Sequence, residues 1–136
     1  MPFVLHNSVT CGWFLENQAT SHTEAIARRL EDDHAVVPPR WELELANLLR
    51  TACLKQRLTA PSAQEVLGRI ASLPIAIDRQ PVRPGEILAL ALRFGLSSYD
   101  AAYLELALRL QVAVATADGP LRDTALASGT GVVAID

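Results

Sequence analysis

Three carboxylates and one histidine stand where a parallel α/β chain concentrates its chemistry. Asp100 follows Ser97 by three residues at the start of a helical run, and Asp118 closes the apolar stretch Val112 to Ala115 just before Gly119-Pro120. His6 ends the short apolar run Phe3-Val4-Leu5, and Glu44 lies on the longest amphipathic segment of the chain. Open α/β sheets bind ligands at the carboxyl ends of their strands, and each of these residues is placed to reach that edge. Two unit charges about 4 Å apart repel by roughly 4 kcal/mol at an effective dielectric of 20. Three carboxylates therefore gather only where a cation compensates them. Mg²⁺ and Mn²⁺ match hard oxygen ligands, activate water and neutralise charge on a phosphodiester. Each acid also has a purely local use: Asp100 as a helix cap, Asp118 as the shaper of an Asp-Gly-Pro turn.

The elements that must position these groups follow from the pattern. Short apolar strands are expected at Phe3–Leu5, Ala35–Val37, Ile75–Ile77, Val112–Ala115 and Val132–Ile135. Between them lie helices. One runs from Val9 to Leu15, capped by Ser8 or Asn7. Another runs from Ala25 to about Asp33 behind the capping box Ser21-His22-Thr23-Glu24, and a third from Trp41 to about Arg57. A further capping box, Ser62-Ala63-Gln64-Glu65, opens a helix to about Leu73; Gly85 to Phe94 ends at Gly95; Ser97 caps a helix that stops at Gln111; Leu121 to Ser128 is the last. The alternation predicts one domain over residues 1–136, with a central parallel sheet of about five strands and helices on both faces. On the long helix Glu44, Asn47, Thr51 and Lys55 form a polar seam beside the apolar stripe of Trp41, Leu45, Leu48, Leu49 and Ala52.

Half of the 136 residues are hydrophobic and only 5% aromatic, so the core is aliphatic. The formal charge of −3 argues against broad nonspecific binding to nucleic acid. It leaves room for local basic sites, because every cation but Lys55 is an arginine, the better fork for phosphate. Cys11 and Cys53 form neither a disulfide framework nor a metal-type pair, which points to a reduced, cytoplasmic setting. The apolar run Val9 to Leu15 is too short to span a membrane.

Four segments carry a family resemblance: Val4-Leu5-His6-Asn7-Ser8-Val9, Glu44-Leu45-Ala46-Asn47-Leu48-Leu49, Ser98-Tyr99-Asp100-Ala101-Ala102-Tyr103 and Ala115-Thr116-Ala117-Asp118. In order and spacing the chain resembles PIN-domain ribonucleases, above all the toxins of VapBC-type toxin–antitoxin pairs. The resemblance implies a three-layer PIN-like fold, cleavage of RNA with Mg²⁺ or Mn²⁺, an antitoxin partner and a homodimer. It makes Glu44, Asp100 and Asp118 the catalytic and metal-binding acids, with Ser8 and Thr116 as hydroxyl helpers and Asn47 orienting the site. His6 takes the remaining catalytic and metal-binding position of that set, where it departs from the pattern, which has Asp there; Mn²⁺ accepts a ring nitrogen more readily than Mg²⁺ does. An imidazole is a poor ligand for Mg²⁺, so impaired or absent activity is expected. Two other readings compete. One is the same fold as a catalytically inactive binding protein for antitoxin or RNA. The other is a receiver-like signalling domain, against which His6-Asn7 and the single Lys55 argue.

Overall fold

The computed structural model describes residues 1–133 of the chain. Four three-residue strands, β1 (Phe3–Leu5), β2 (Ala35–Val37), β3 (Ile75–Ile77) and β4 (Ala113–Ala115), form one sheet in the order β3-β2-β1-β4. All three pairings are parallel, with Phe3 opposite both Ala35 and Ala113. The expected strand at Val132–Ile135 begins as an isolated parallel bridge between Val114 and Val132. Its remainder, from residue 134 on, lies outside the described residues.

Every residue of β1 is fully buried, which requires cover on both faces of the sheet. The helices supplying that cover are α1 (Asn7–Thr10), α2 (Ser21–Arg29), α3 (Arg40–Leu54), α4 (Ala60–Ala71), α5 (Pro84–Phe94), α6 (Ser98–Leu110) and α7 (Gly119–Ser128). One cluster joins Phe3, Leu5 and Val114 of the sheet to Trp41 and Leu45 of α3, Tyr103 and Leu104 of α6 and Leu121 of α7. The helices that carry Glu44, Asp100 and Asp118 are thus packed on a single core.

Local signals explain most boundaries. Ser97 accepts from the Asp100 amide and opens α6, while Gln111, with φ of 57°, closes it in the left-handed region. Gly95, with φ of 66°, ends α5 as expected. Three starts differ from the sequence reading. The capping box of α2 uses Thr20 and Thr23 rather than Ser21 and Glu24, and Thr59 caps α4 with Pro61 in its first turn. In both, another hydroxyl stands one to three residues earlier and takes the role, because a threonine side chain reaches the third backbone amide as well as serine does. The third difference is at α1, whose cap is neither Ser8 nor Asn7: the His6 ring accepts from the Ser8 amide. That helix lasts one turn and continues as a 3-10 turn over Cys11–Trp13. The turn lies so close to α2 that a Cβ on Gly12 would meet Thr23 at 2.5 Å.

Candidate functional site

The chain runs from β1 outward to β2 and β3, then returns to place β4 on the other side of β1. The order reverses between β1 and β4, and ligands bind outside the strand ends at such a switch point. β1 leads into His6 there, and β4 leads into Thr116, Ala117 and Asp118.

The geometry begins at His6. Its Nδ1 lies 2.7 Å from Ser8 Oγ and 3.3 Å from Thr116 Oγ1, and it accepts from the Ser8 backbone amide at 3.3 Å. An amide can only donate, so Nδ1 is the acceptor nitrogen and Nε2 carries the proton. That N–H donates to Asp100 Oδ1 at 3.2 Å. The same polarity runs back through the hydroxyls. The Asp118 amide donates to Thr116 Oγ1 at 3.0 Å; Thr116 Oγ1 lies 3.2 Å from Ser8 Oγ, which also accepts from the Ala117 amide at 2.8 Å. With Thr116 donating to Ser8 and Ser8 to His6, one ordered chain of hydrogen bonds links the backbone at Asp118 to the carboxylate of Asp100.

Each acid is held differently. Ser97, not Asp100, provides the cap of α6, which leaves the Asp100 carboxylate to face His6. Asp118 does cap α7, with Oδ2 accepting from the Leu121 amide at 2.9 Å. Its local use and its place at the site coexist, since the second oxygen remains. Glu44 Oε1 accepts from the Tyr103 hydroxyl at 2.8 Å. Tyr103 is fully buried, its ring 4.8 Å from the His6 ring in an edge-to-face contact. Burial, then the neighbouring charge of Glu44, pushes its phenol well above the ordinary tyrosine range, so it stays a donor.

Asn47 is exposed on α3, and of the polar seam Glu44 hydrogen-bonds into the candidate site. Thr51 and Lys55 line a separate small cavity with Cys11 and Leu15. The helix enters the site with its first turns and leaves with its last. The amide that ties α1 to α3 is Asn7, buried and donating from Nδ2 to the Trp41 carbonyl at 3.1 Å. The sequence reading gives Tyr103, Arg40 and Tyr99 no role of their own, and Asn7 only that of a possible cap. Spacing carried a signal for two of them: Tyr103 lies one turn after Asp100, and Arg40 one turn before Glu44.

The residues do not form a finished metal centre. Among the described residues no three His, Cys, Asp or Glu side chains are close enough to hold one ion. Asp100, Asp118 and Glu44 each commit one oxygen to a protein donor, and His6 offers Asp100 an N–H where a metal needs a lone pair. The donor set as it stands does not fit Mg²⁺, which requires near-octahedral oxygen ligation.

Comparison with known proteins follows the same lines. Over 97 residues the chain is 32% identical to a protein named Ribonuclease VapC12 in two strains of Mycobacterium tuberculosis, CDC 1551 / Oshkosh and ATCC 25618 / H37Rv. The match covers 71% of this chain and 74% of each relative. The fold is similar to the crystal structure of PAE2754 from Pyrobaculum aerophilum, with a TM-score of 0.67, 20% identity, and coverage of 98% of this chain and 91% of that one. No protein-family model matches the chain.

Proposed function

The chain belongs to the VapC-like family of PIN-domain toxins, and from that premise we propose that it is built as an endoribonuclease toxin whose centre is Glu44, Asp100 and Asp118 and whose catalysis is impaired by His6. The observation that carries this reading is the hydrogen bond from His6 Nε2 to Asp100 Oδ1. It brings the end of β1 to the start of α6, and it stands at the position where the resemblance expects a carboxylate.

The consequence is electrostatic. Three carboxylates facing one sheet edge repel a phosphodiester, and no Lys or Arg among the described residues makes an ion pair with Glu44 or Asp118. A family member with Asp at position 6 would offer a fourth anionic oxygen and draw in Mg²⁺ or Mn²⁺. Here the imidazole satisfies Asp100 by itself. Losing about 4 kcal/mol of transition-state stabilisation slows a reaction roughly a thousandfold.

The partners in this reading are single-stranded RNA, a cognate antitoxin and a second copy of the chain, in the cytoplasm. An apolar groove of about 450 Å³, lined by Trp13, Phe14, Val66, Ile70 and Leu73, supports a bound antitoxin segment. Leu88 and Leu92, exposed on α5, support self-association. Among the described residues no helix is long and apolar enough to cross a membrane. The alternative, a catalytically inactive binding protein, draws on the completeness of the hydrogen-bond chain through His6.

His6→Asp separates the two. The variant should bind Mn²⁺ and Mg²⁺ more tightly than the parent and cleave single-stranded RNA at least about tenfold faster, equivalent to some 1.4 kcal/mol. A folded His6→Asp protein that binds neither ion and cleaves no more RNA than the parent would overturn the nuclease reading. The acids would then be caps and turn formers on a binding module.

A further inference from the structure

Arg40 and Tyr99 meet beside the acidic site. The guanidinium carbon of Arg40, the first residue of α3, lies 3.5 Å from the centroid of the Tyr99 ring, in the first turn of α6. Both side chains are exposed, Tyr99 by 53%. Arg40 stands one turn before Glu44, and Tyr99 adjoins Asp100. Among the described residues Arg40 joins no ion pair. Its charge also opposes the upward push on the pKa of the Tyr103 phenol.

The two other guanidinium–aromatic contacts differ. Arg29 lies 5.0 Å from Phe3, but Phe3 is wholly buried and Arg29 is paired with Asp33. Arg93 lies 4.8 Å from Phe94, its sequence neighbour on α5. Among the described residues only the Arg40–Tyr99 pair bridges two elements at the acidic edge and leaves both partners open to solvent. A stacked guanidinium keeps its N–H edges free, and those edges match a phosphate in bidentate fashion. An exposed aromatic face stacks an unpaired base, which is how proteins hold single-stranded RNA.

We propose that Arg40 and Tyr99 form the nucleotide platform of the site: a base of single-stranded RNA extends the Arg40–Tyr99 stack, and Arg40 takes the phosphate beside it. The pair supplies the cation that the acidic edge lacks, and it fixes where the RNA backbone crosses Asp100. This rests on the RNA reading above and names the substrate contact within it.

The test is fluorescence anisotropy with a short 2′-O-methylated single-stranded RNA in EDTA, where binding is read without cleavage. Parent, Arg40→Gln, Arg40→Lys, Tyr99→Leu and Tyr99→Trp are compared with Arg93→Gln as an equally exposed control. Arg40→Gln should weaken binding about fivefold or more and lower the salt slope by about 0.7, the value of one phosphate contact on a single strand. Arg40→Lys should keep that slope. Tyr99→Leu should weaken binding about fivefold with the slope unchanged, and Tyr99→Trp should keep the parent affinity. If Arg40→Gln and Tyr99→Leu bind no worse than Arg93→Gln, the platform is wrong while RNA binding stands. If the parent binds no RNA at low salt, the platform falls with it, and His6→Asp then decides whether the nuclease reading falls as well.

Discussion

Carboxylates are held in opposite ways at two places in this molecule: at one, two of them share a cation, and at the other, each has a donor of its own. At the end of β3, Asp78 and Glu105 are mostly buried and share Arg109, which donates to Asp78 Oδ2 at 2.6 Å and to Glu105 Oε1 at 2.9 Å. Those hydrogen bonds hold the guanidinium's pKa above its ordinary value, so the cation is permanent. At the ends of β1 and β4, Asp100, Asp118 and Glu44 are met by an imidazole, a backbone amide and a phenol. These donors fix geometry, and none of them is a lysine or arginine. A carboxylate pair matched by arginine is a finished structural joint, whereas acids held without lysine or arginine keep their charge available to something outside the chain. The first place ties the β3 loop to α6; the second is the candidate site.

Changing the charge at each place should sharpen the contrast. The largest effect is expected from His6→Asp, which adds a fourth carboxylate and removes the donor to Asp100. In EDTA it should lose about 2–4 kcal/mol of unfolding free energy, by the repulsion of close like charges. Saturating Mn²⁺ should return most of this, since an ion bound only by the folded state stabilises it. Urea unfolding with and without Mn²⁺ measures both. Arg109→Ala should cost about 1–2 kcal/mol, less than a fully buried pair because the cluster is partly solvated, and Mn²⁺ should not rescue it. Rescue of Arg109→Ala by metal, or none for His6→Asp, would erase the distinction between the two clusters.

Much of this was legible in the chain itself, for physical reasons that also explain what was not. Strand runs such as Phe3-Val4-Leu5 and Ile75-Ala76-Ile77 are bounded by polar or proline residues, and a parallel sheet leaves them few alternatives. Positions close in sequence were readable: Ser97 against Asp100 is a three-residue relation that the helix itself enforces. What was not readable depends on contacts between distant segments. Nothing local to His6 says that the ring which caps α1 also meets Asp100. Nothing local to Tyr103 or to Glu44 says that the fold brings the hydroxyl and the carboxylate together.

Tyr103→Phe tests that last contact. Removing the hydroxyl leaves Glu44 half-buried without its donor, so stability near neutral pH should fall by about 1 kcal/mol. The alkaline limb should move the other way. The folded phenol holds its proton above the ordinary tyrosine pKa, while the unfolded one loses it near about pH 10. The unfolded state then binds fewer protons, so stability falls as pH rises beyond that point. Tyr103→Phe should lack this contribution and show a flatter decline above about pH 10 in denaturant titrations. An unchanged slope would mean that the phenol ionises freely in the folded chain.

The smallest change is expected where the two places differ most in meaning. Asp100→Asn keeps an amide oxygen that accepts from His6 Nε2, and it keeps the cap, because Ser97 bonds the backbone amide and not the carboxylate. It loses a favourable charge near the start of α6, worth about 0.3–1 kcal/mol. It also relieves repulsion with the neighbouring acids, of similar size at a partly exposed site. The metal-free melting temperature should therefore stay equal to the parent's or rise, within about 0.5 kcal/mol. In a His6→Asp background the same substitution should abolish the Mn²⁺ stabilisation. A large metal-free loss with no change in the metal effect would show the Asp100 carboxylate to be a structural partner like Asp78. The acids at the two ends of the sheet would then be of one kind, and the site would have to be sought elsewhere.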